Sequence, residues 1–257
     1  ASARTANAAV GNKRNATLLE NVGGLTMTAL AETVICVTGA DADVTVGGRP
    51  APLATPTIVP AGAEVVVKPA RLGFRTYVAV RGGLIADTEL DSAATDMLSG
   101  LGPKPLAAGD TIAMSLTPPQ SANSLLSNPL RVERDGADVV GVVRCVLGPR
   151  DDWFDADAVE RFFNTTFTVT GDSNRVGLRL ESDAPLTRSR DGELPSEGMV
   201  AGSVQIPPSG QPVLFLRDHA VTGGYPVIAT VINEDVDIAA QLPPGGKLRF
   251  ERYTLEG

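Results

Sequence analysis

Gln241-Leu-Pro-Pro-Gly-Gly-Lys-Leu-Arg-Phe250 restates, in the second half of the chain, the pattern of Pro105-Leu-Ala-Ala-Gly-Asp-Thr-Ile-Ala-Met114 in the first. Each reads as a turn followed by an alternating strand that closes its half. A second pair keeps nearly the same offset: Gly73-Phe-Arg-Thr-Tyr-Val-Ala-Val-Arg81 aligns with Gly210-Gln-Pro-Val-Leu-Phe-Leu-Arg217. Two barrel-like halves that copy one another account for both alignments, although two unrelated hairpins would leave a similar trace.

Short alternating runs fill the first half: Leu25–Leu30, Thr33–Thr38, Asp43–Val46, Glu64–Lys68, Thr76–Arg81 and Thr111–Leu116. Turn-forming stretches separate them, among them NVGG, TGAD, VGGRP and VPAG, a spacing that predicts an all-β barrel or sandwich. The second half repeats this with Leu130–Glu133, Val139–Leu147, Thr166–Thr170, Ser203–Ile206, Val213–Arg217, Val227–Ile232 and Lys247–Tyr253. Three helices interrupt the strands. Ala1–Val10 reads as helical without an N-cap, Asp155 can cap Ala156–Phe163, and Asn233 can cap Glu234–Gln241. Thr117–Pro129, rich in Pro, Ser and Asn, reads as a linker. The expected organisation is a mainly β chain: a first subdomain over residues 1–116, a linker over 117–129 and a second subdomain over 130–257.

Composition agrees with this reading. The 257 residues carry 27 glycines and 19 prolines, above ordinary usage, and only 4% aromatics, so the cores are expected to rest on Val, Leu, Ile and Ala. A chain of this size buries roughly 75% of its unfolded surface and needs no disulfide or metal for stability. The formal charge of −8 excludes nucleic acid as a main partner, since phosphate binding draws on clustered Lys and Arg. Cys36 and Cys145 lie in apolar strand-like runs and read as reduced, buried thiols. With His219 they are too few for a four-ligand zinc site, and no metal is expected. No apolar run approaches the ~20 residues of a membrane helix, so a cytoplasmic protein is expected.

Four polar segments of the second half carry the candidate chemistry. Leu147-Gly-Pro-Arg-Asp-Asp-Trp-Phe154 presents Arg150 to an anion, or merely starts a helix behind a core Trp153. Asp172-Ser-Asn-Arg-Val-Gly177 displays Ser173, Asn174 and Arg175 for an amide or carboxylate, or is an Asn-stabilised turn. In Glu193–Pro208, Glu197 sits between Ser196 and Gly198, and Gln205 alternates with Val204 and Ile206 so as to point inward. A buried Glu197 can serve as acid or base, and an exposed one is an ordinary turn residue. Arg217-Asp-His-Ala-Val-Thr-Gly-Gly-Tyr-Pro226 holds Asp218, the sole His219, Thr222 and the Gly223-Gly224 pair before Tyr225. Its exposed N–H groups can cradle an anion, or the segment is a plain glycine-rich hairpin. No G-x-S-x-G elbow, G-x-x-x-x-G-K-[ST] loop or dinucleotide G-x-G-x-x-G is present.

Taken in order, LGPRDDWF, SNRVGLRL, ELPSEGMVAGSVQIPPSGQP and TGGYPVIATV resemble the biotin-dependent carboxyltransferase-like family that contains the C-type subunit of 5-oxoprolinase, also called allophanate hydrolase subunit 2. GFRTYVAVRGG at Gly73–Gly83 and LAAGD at Leu106–Asp110 agree with it. The resemblance implies two cyclophilin-like β-barrel subdomains in tandem. It also implies a tight complex with a homologue of the B-type subunit of 5-oxoprolinase (allophanate hydrolase subunit 1). With the A-type subunit, that complex would carry out ATP-dependent hydrolysis of 5-oxo-L-proline to L-glutamate. ATP with Mg would serve the complex. Carried over by position, Arg175, Glu197, Asp218 and His219 are the expected catalytic residues. Arg150, Ser173, Asn174, Gln205, Thr222, Gly223, Gly224 and Tyr225 are the expected ligand-binding set.

The chain departs from the family in three places. A segment with a PG…Q-D-x-G-R-type motif, expected ahead of the first subdomain, does not occur. Leu90-Asp-Ser-Ala-Ala-Thr-Asp96 replaces an L-G-S-R-S-T-D pattern, and Ala220-Val221 replaces a more polar pair. Two other functions lie within the same resemblance: carboxyl transfer from carboxybiotin to urea-like or allophanate-like amides, and non-catalytic regulation by binding an inhibitor of a histidine kinase.

Overall fold

The computed structural model describes residues 1–96, 99–115, 120–122, 126–190, 192 and 194–254. By backbone proximity the chain divides into two compact units. One comprises Ala1–Arg71 with Arg75–Pro129, the other Leu72–Phe74 with Leu130–Gly257.

The first unit opens with helix α1 (Ser2–Ala9), which has no side-chain cap. Eight strands follow: β1 (Leu19–Val22), β2 (Leu25–Thr28), β3 (Thr33–Asp41), β4 (Val44–Val46), β5 (Arg49–Pro50), β6 (Thr57–Val59), β7 (Glu64–Val67) and β8 (Leu72–Val80), whose first three residues belong to the second unit. They form two four-stranded sheets, β1-β8-β3-β6 and β2-β7-β4-β5. Alternation places Ile35, Val37, Val78 and Val80 of the first sheet in one core with Val44, Val46, Val65 and Val67 of the second. The opposite face of β3 and β8 is also covered, because Cys36 and Ala79 pack against Ala6, Ala9 and Val10 at the end of α1. Burial on both faces explains why β3 reads as an almost unbroken apolar run.

The second unit contains β9 (Glu133–Asp135), β10 (Asp138–Leu147), a single 3-10 turn (Asp151–Trp153), α2 (Ala156–Asn164), β11 (Thr166–Val169), β12 (Gly177–Glu181), β13 (Glu197–Gly198), β14 (Ser203–Gln205), β15 (Val213–Phe215), β16 (Thr222–Gly223), β17 (Val227–Val231), α3 (Val236–Ala239) and β18 (Lys247–Arg252). The ring runs β17-β14-β15-β12-β11-β18-β10 and closes where Cys145 of β10 pairs with Val231 of β17. The result is a seven-stranded barrel with β9 appended to β10, and β10–β18 is its parallel pairing. The described chain is thus mainly β with three short α-helices, as expected. The cores rest mainly on Val, Leu, Ile and Ala, as expected, with the aromatics gathered in one place. Phe154, Phe162, Phe167 and Phe250 are all buried here, with the rings of Phe162 and Phe250 stacked 4.4 Å apart. The few aromatics are concentrated rather than spread.

Several elements differ from expectation. Asp155 caps α2 as predicted, accepting from Ala158 N–H at 2.7 Å. Asn233 caps nothing; its Oδ1 accepts from Arg217 Nη1 at 2.7 Å, and only Val236–Ala239 is helical. The expected strand Thr111–Leu116 reduces to one bridge, Leu84 to Met114, and Leu116 lies outside the described residues. The Pro105–Met114 copy of the repeat therefore lacks the strand that its partner forms as β18. The expected strand Leu130–Glu133 begins only at Glu133.

Part of the Thr117–Pro129 segment also lies outside the described residues, but what is described is anchored. Asn128 exchanges two 2.8 Å bonds with the backbone of Gly39, and Gln120 N–H donates to Gly11 O at 2.6 Å. Glu193, at the start of one polar segment, lies outside the described residues as well. No helix among the described residues is long and apolar enough to cross a membrane.

Candidate functional site

The site is built on a two-residue ladder beside the barrel. Glu197 pairs with Gly223 and Gly198 with Thr222 across β13 and β16, and Met199 N–H extends the ladder to Val221 O at 2.9 Å. The ladder brings the Glu193–Pro208 and Arg217–Pro226 segments together. Their register then places one side chain from a third segment. After β10 ends, Gly148 N–H donates to Ile228 O at 2.8 Å and Arg150 N–H to Val227 O at 3.2 Å. This turns Arg150 toward Glu197. Its Nε contacts both carboxylate oxygens, at 3.0 and 3.2 Å, and Nη2 bonds Oε1 as well. The hydrogen bonds to Glu197, and then its charge, hold the Arg150 guanidinium above its ordinary pKa.

Gln205 is 3% exposed and projects inward, as its alternation predicts. Its Nε2 donates to Tyr225 O at 3.0 Å and faces Met199 Sδ at 3.3 Å. Tyr225 is half-exposed, and Arg188 lies over its ring, 5.7 Å from the centroid. Arg188 also donates to Ile206 O through Nε at 3.2 Å and Nη2 at 2.6 Å. Sequence reading missed Arg188. It carries no motif, and only its partial burial and its stack on Tyr225 mark it out.

The remaining expected residues separate into four groups. Arg175 Nε meets Asp218 Oδ2 at 3.3 Å, forming a second, more open ion pair. Ser173 and Asn174 are occupied by their own turn. Ser173 Oγ accepts from Arg179 N–H at 3.0 Å, and Asn174 Oδ1 accepts from Val176 N–H at 2.9 Å and Gly177 N–H at 3.3 Å. The Asn-stabilised turn is therefore the reading the geometry favours there. His219 Nδ1 lies 2.8 Å from Ala220 O rather than reaching the neighbouring carboxylate. A carbonyl only accepts, so Nδ1 carries the proton and Nε2 is the basic nitrogen of the neutral ring. Thr222, within the ladder, and Gly224, just past it, are exposed, and Trp153 is half-buried against the core. Among the described residues no three His, Cys, Asp or Glu side chains converge as a metal cage.

This arrangement can bind a small polar molecule between an arginine-clamped carboxylate, a buried amide and glycine backbone, with an imidazole nitrogen on the same segment. A model of the carboxyltransferase domain, subdomains A and B, matches residues 1–252. The chain belongs to this family.

Among family members it is 31% identical to the 5-oxoprolinase C subunit of Escherichia coli K12 over 98% of this chain and 80% of that one. It is 30% identical to the Haemophilus influenzae protein of the same name, with the same coverage. Longer members contain it as a part. Urea amidolyase of Lachancea kluyveri is 27% identical over 96% of this chain but 15% of its own length. In three dimensions the chain superimposes on TTHA0988 with a TM-score of 0.81 at 32% identity, covering 97% of this chain. It spans about half of that protein, 49%. The Kluyveromyces lactis urea amidolyase superimposes with a TM-score of 0.89 at 25% identity over 98% of this chain and 16% of that one.

Proposed function

We propose that this chain is the C-type subunit of an ATP-dependent 5-oxoprolinase, which hydrolyses 5-oxo-L-proline to L-glutamate together with subunits of the A and B types. The observation that carries the reading is the near full-length similarity to the 5-oxoprolinase C subunit of Escherichia coli, 31% identity over 98% of this chain, in a molecule whose matching segments converge on Arg150, Glu197 and Gln205.

The chemistry is consistent with those residues. A five-membered lactam is resonance-stabilised and a poor electrophile. Phosphorylating its oxygen with ATP releases ADP and makes the ring carbon electrophilic; a first water forms a C–O bond there, the ring C–N bond breaks as the amine takes a proton, and a second water hydrolyses the resulting acyl phosphate to glutamate and phosphate. Glu197, oriented by Arg150, is placed to direct the amide or water, and His219 Nε2 can exchange the amine proton. ATP with Mg serves the complex in this reading, and this chain's sequence has none of the common glycine-rich phosphate loops. The complex would act in the cytoplasm, where Cys36 and Cys145 remain thiols.

Glutamate release and ATP hydrolysis by the co-expressed complex test this directly. Both are expected to need 5-oxo-L-proline and this chain, and Glu197→Gln is expected to lower kcat about 100-fold, the scale of a lost acid–base group. Undiminished turnover without this chain rejects the proposal. A second reading, carboxyl transfer from carboxybiotin to a urea-like amide, draws on the TM-score of 0.89 to a urea amidolyase. Binding of a carboxybiotin mimic, with no lactam-stimulated ATP hydrolysis, would favour it. A stable complex with neither activity would favour the regulatory role.

A further inference from the structure

Arg188 is the cation that the site's ion pairs leave out. Arg150, Arg175, Arg190 and Arg217 each face a carboxylate: Glu197, Asp218, Asp152 and Asp237. Among the described residues Arg188 has only the carbonyl of Ile206 and the ring of Tyr225. Burial alone pulls its pKa below the ordinary value, the mark of a guanidinium short of counter-charge. Both bonds to Ile206 use Nε and Nη2, so among the described residues Nη1 and the second Nη2 proton are uncommitted.

Gln205 supplies an independent sign of a ligand. Two acceptors, Tyr225 O and Met199 Sδ, fix the orientation of its amide and take up Nε2, while no described group donates to Oε1. Among the described residues, Thr170 Oγ1 is the one fully covered side-chain polar atom without a partner. Gln205 Oε1 and Arg188 Nη1, equally without partners, must therefore both reach solvent. Gly223 keeps that amide face open. A Cβ there would lie 2.4 Å from Gln205 Nε2 and 3.2 Å from Oε1. Arg188 and Gln205 thus engage the same residue from two sides, one over the Tyr225 ring and the other on its carbonyl.

We propose that Arg188 and Gln205 form a two-point subsite for a small amide bearing a carboxylate, with the free guanidinium N–H groups binding the carboxylate and Gln205 Oε1 accepting the amide N–H. The subsite makes Arg188 a specificity residue, selecting carboxylated lactams over neutral ones. It rests on the lactam reading above for its choice of probe.

The test is equilibrium binding, measured calorimetrically without ATP on the reconstituted complex. The probes are 5-oxo-L-proline and 2-pyrrolidinone, the same lactam without the carboxylate. Wild type is expected to prefer 5-oxo-L-proline. Arg188→Met is expected to weaken that ligand roughly 10- to 100-fold, the loss of one charge-assisted hydrogen bond, and to leave 2-pyrrolidinone unchanged. Arg188→Lys, which keeps the charge, is expected to recover part of the loss, and it stands in if the Met variant does not fold. Equal weakening of both ligands assigns Arg188 a purely structural role and overturns the subsite. So does unchanged affinity in the Met variant, or failure of wild type to bind either lactam. Turnover is read separately. Arg188-dependent binding without glutamate release rejects the 5-oxoprolinase reading alone, whereas turnover with an unchanged KM in Arg188→Met rejects the subsite alone.

Discussion

At Gly223 an added Cβ would stand 2.4 Å from Gln205 Nε2, far inside van der Waals contact. The neighbour is the end of a flexible side chain, so the amide can give way, and the cost falls on the site more than on the fold. Gly223→Ala is therefore expected to destabilise by only about 1 kcal/mol, the lower end for overpacking. Lactam binding should weaken about tenfold or more as the Gln205 amide leaves Tyr225 O. Paired thermal melts and binding isotherms check this; a large melting loss with intact binding would contradict it. Other residues mark how much of the site could be read from sequence. Residue type made Ser173 and Asn174 candidates, but whether a side-chain oxygen faces a ligand or its own backbone depends on a turn's geometry. Gln205 was legible because strand alternation aims a side chain. Arg188 was not, because an arginine's worth depends on whether a carboxylate stands opposite it.

Helix and strand ends behaved according to how local their causes are. Asp155 caps α2 through a bond spanning three residues, which sequence spacing encodes. The neighbourhood of α3 is instead governed by a distant partner. Asp235, 1% exposed, accepts from Arg144 N–H at 2.9 Å, Arg144 Nε at 2.8 Å, Arg144 Nη2 at 2.9 Å and Arg131 Nη1 at 3.3 Å. It ties the turn after β17 to the middle of β10. Burial pushes its carboxyl pKa up, but the Arg144 bonds and the charges of Arg144 and Arg131 more than offset this, and the net value lies below the ordinary one. A depressed carboxylate contributes its full stability above the unfolded value of about 3.9 and loses it as pH falls through the lower folded value. Asp235→Asn is expected to cost about 1–2 kcal/mol near neutrality, at the low end for bonds to a charged group because both arginines are half-exposed. It should also flatten the decline in stability below about pH 4. Denaturant titrations of both proteins across that range measure it, and parallel curves would refute it.

Over the whole molecule, the second unit closes a ring through a pairing between Cys145 and Val231, strands far apart in sequence, and borrows Leu72–Phe74 from the start of β8. Leu72 packs against that unit's core, and Phe74 N–H donates to Gln241 Oε1 at 3.0 Å. Leu72→Ala is expected to cost about 1–2 kcal/mol, less than a fully buried Leu→Ala. The loss should appear in β10 and β18 rather than in β2 and β7, which amide hydrogen exchange resolves strand by strand; the opposite pattern would count against the division of β8. The amino-acid sequence by itself determined the β class, most strands, the α2 cap, the inward Gln205 and the family, because these follow from periodicity, local turn chemistry and the order of specific motifs. Tertiary structure alone decided four things: that Asn233 serves Arg217 rather than a helix, that Thr111–Leu116 contributes one bridge instead of a closing strand, that three segments meet at Arg150, Glu197 and Gly223, and that no carboxylate among the described residues stands opposite Arg188. Each of these depends on which groups lie opposite one another across the fold. Local propensity is silent about that, since burial and pairing are settled only when distant strands close around a common core.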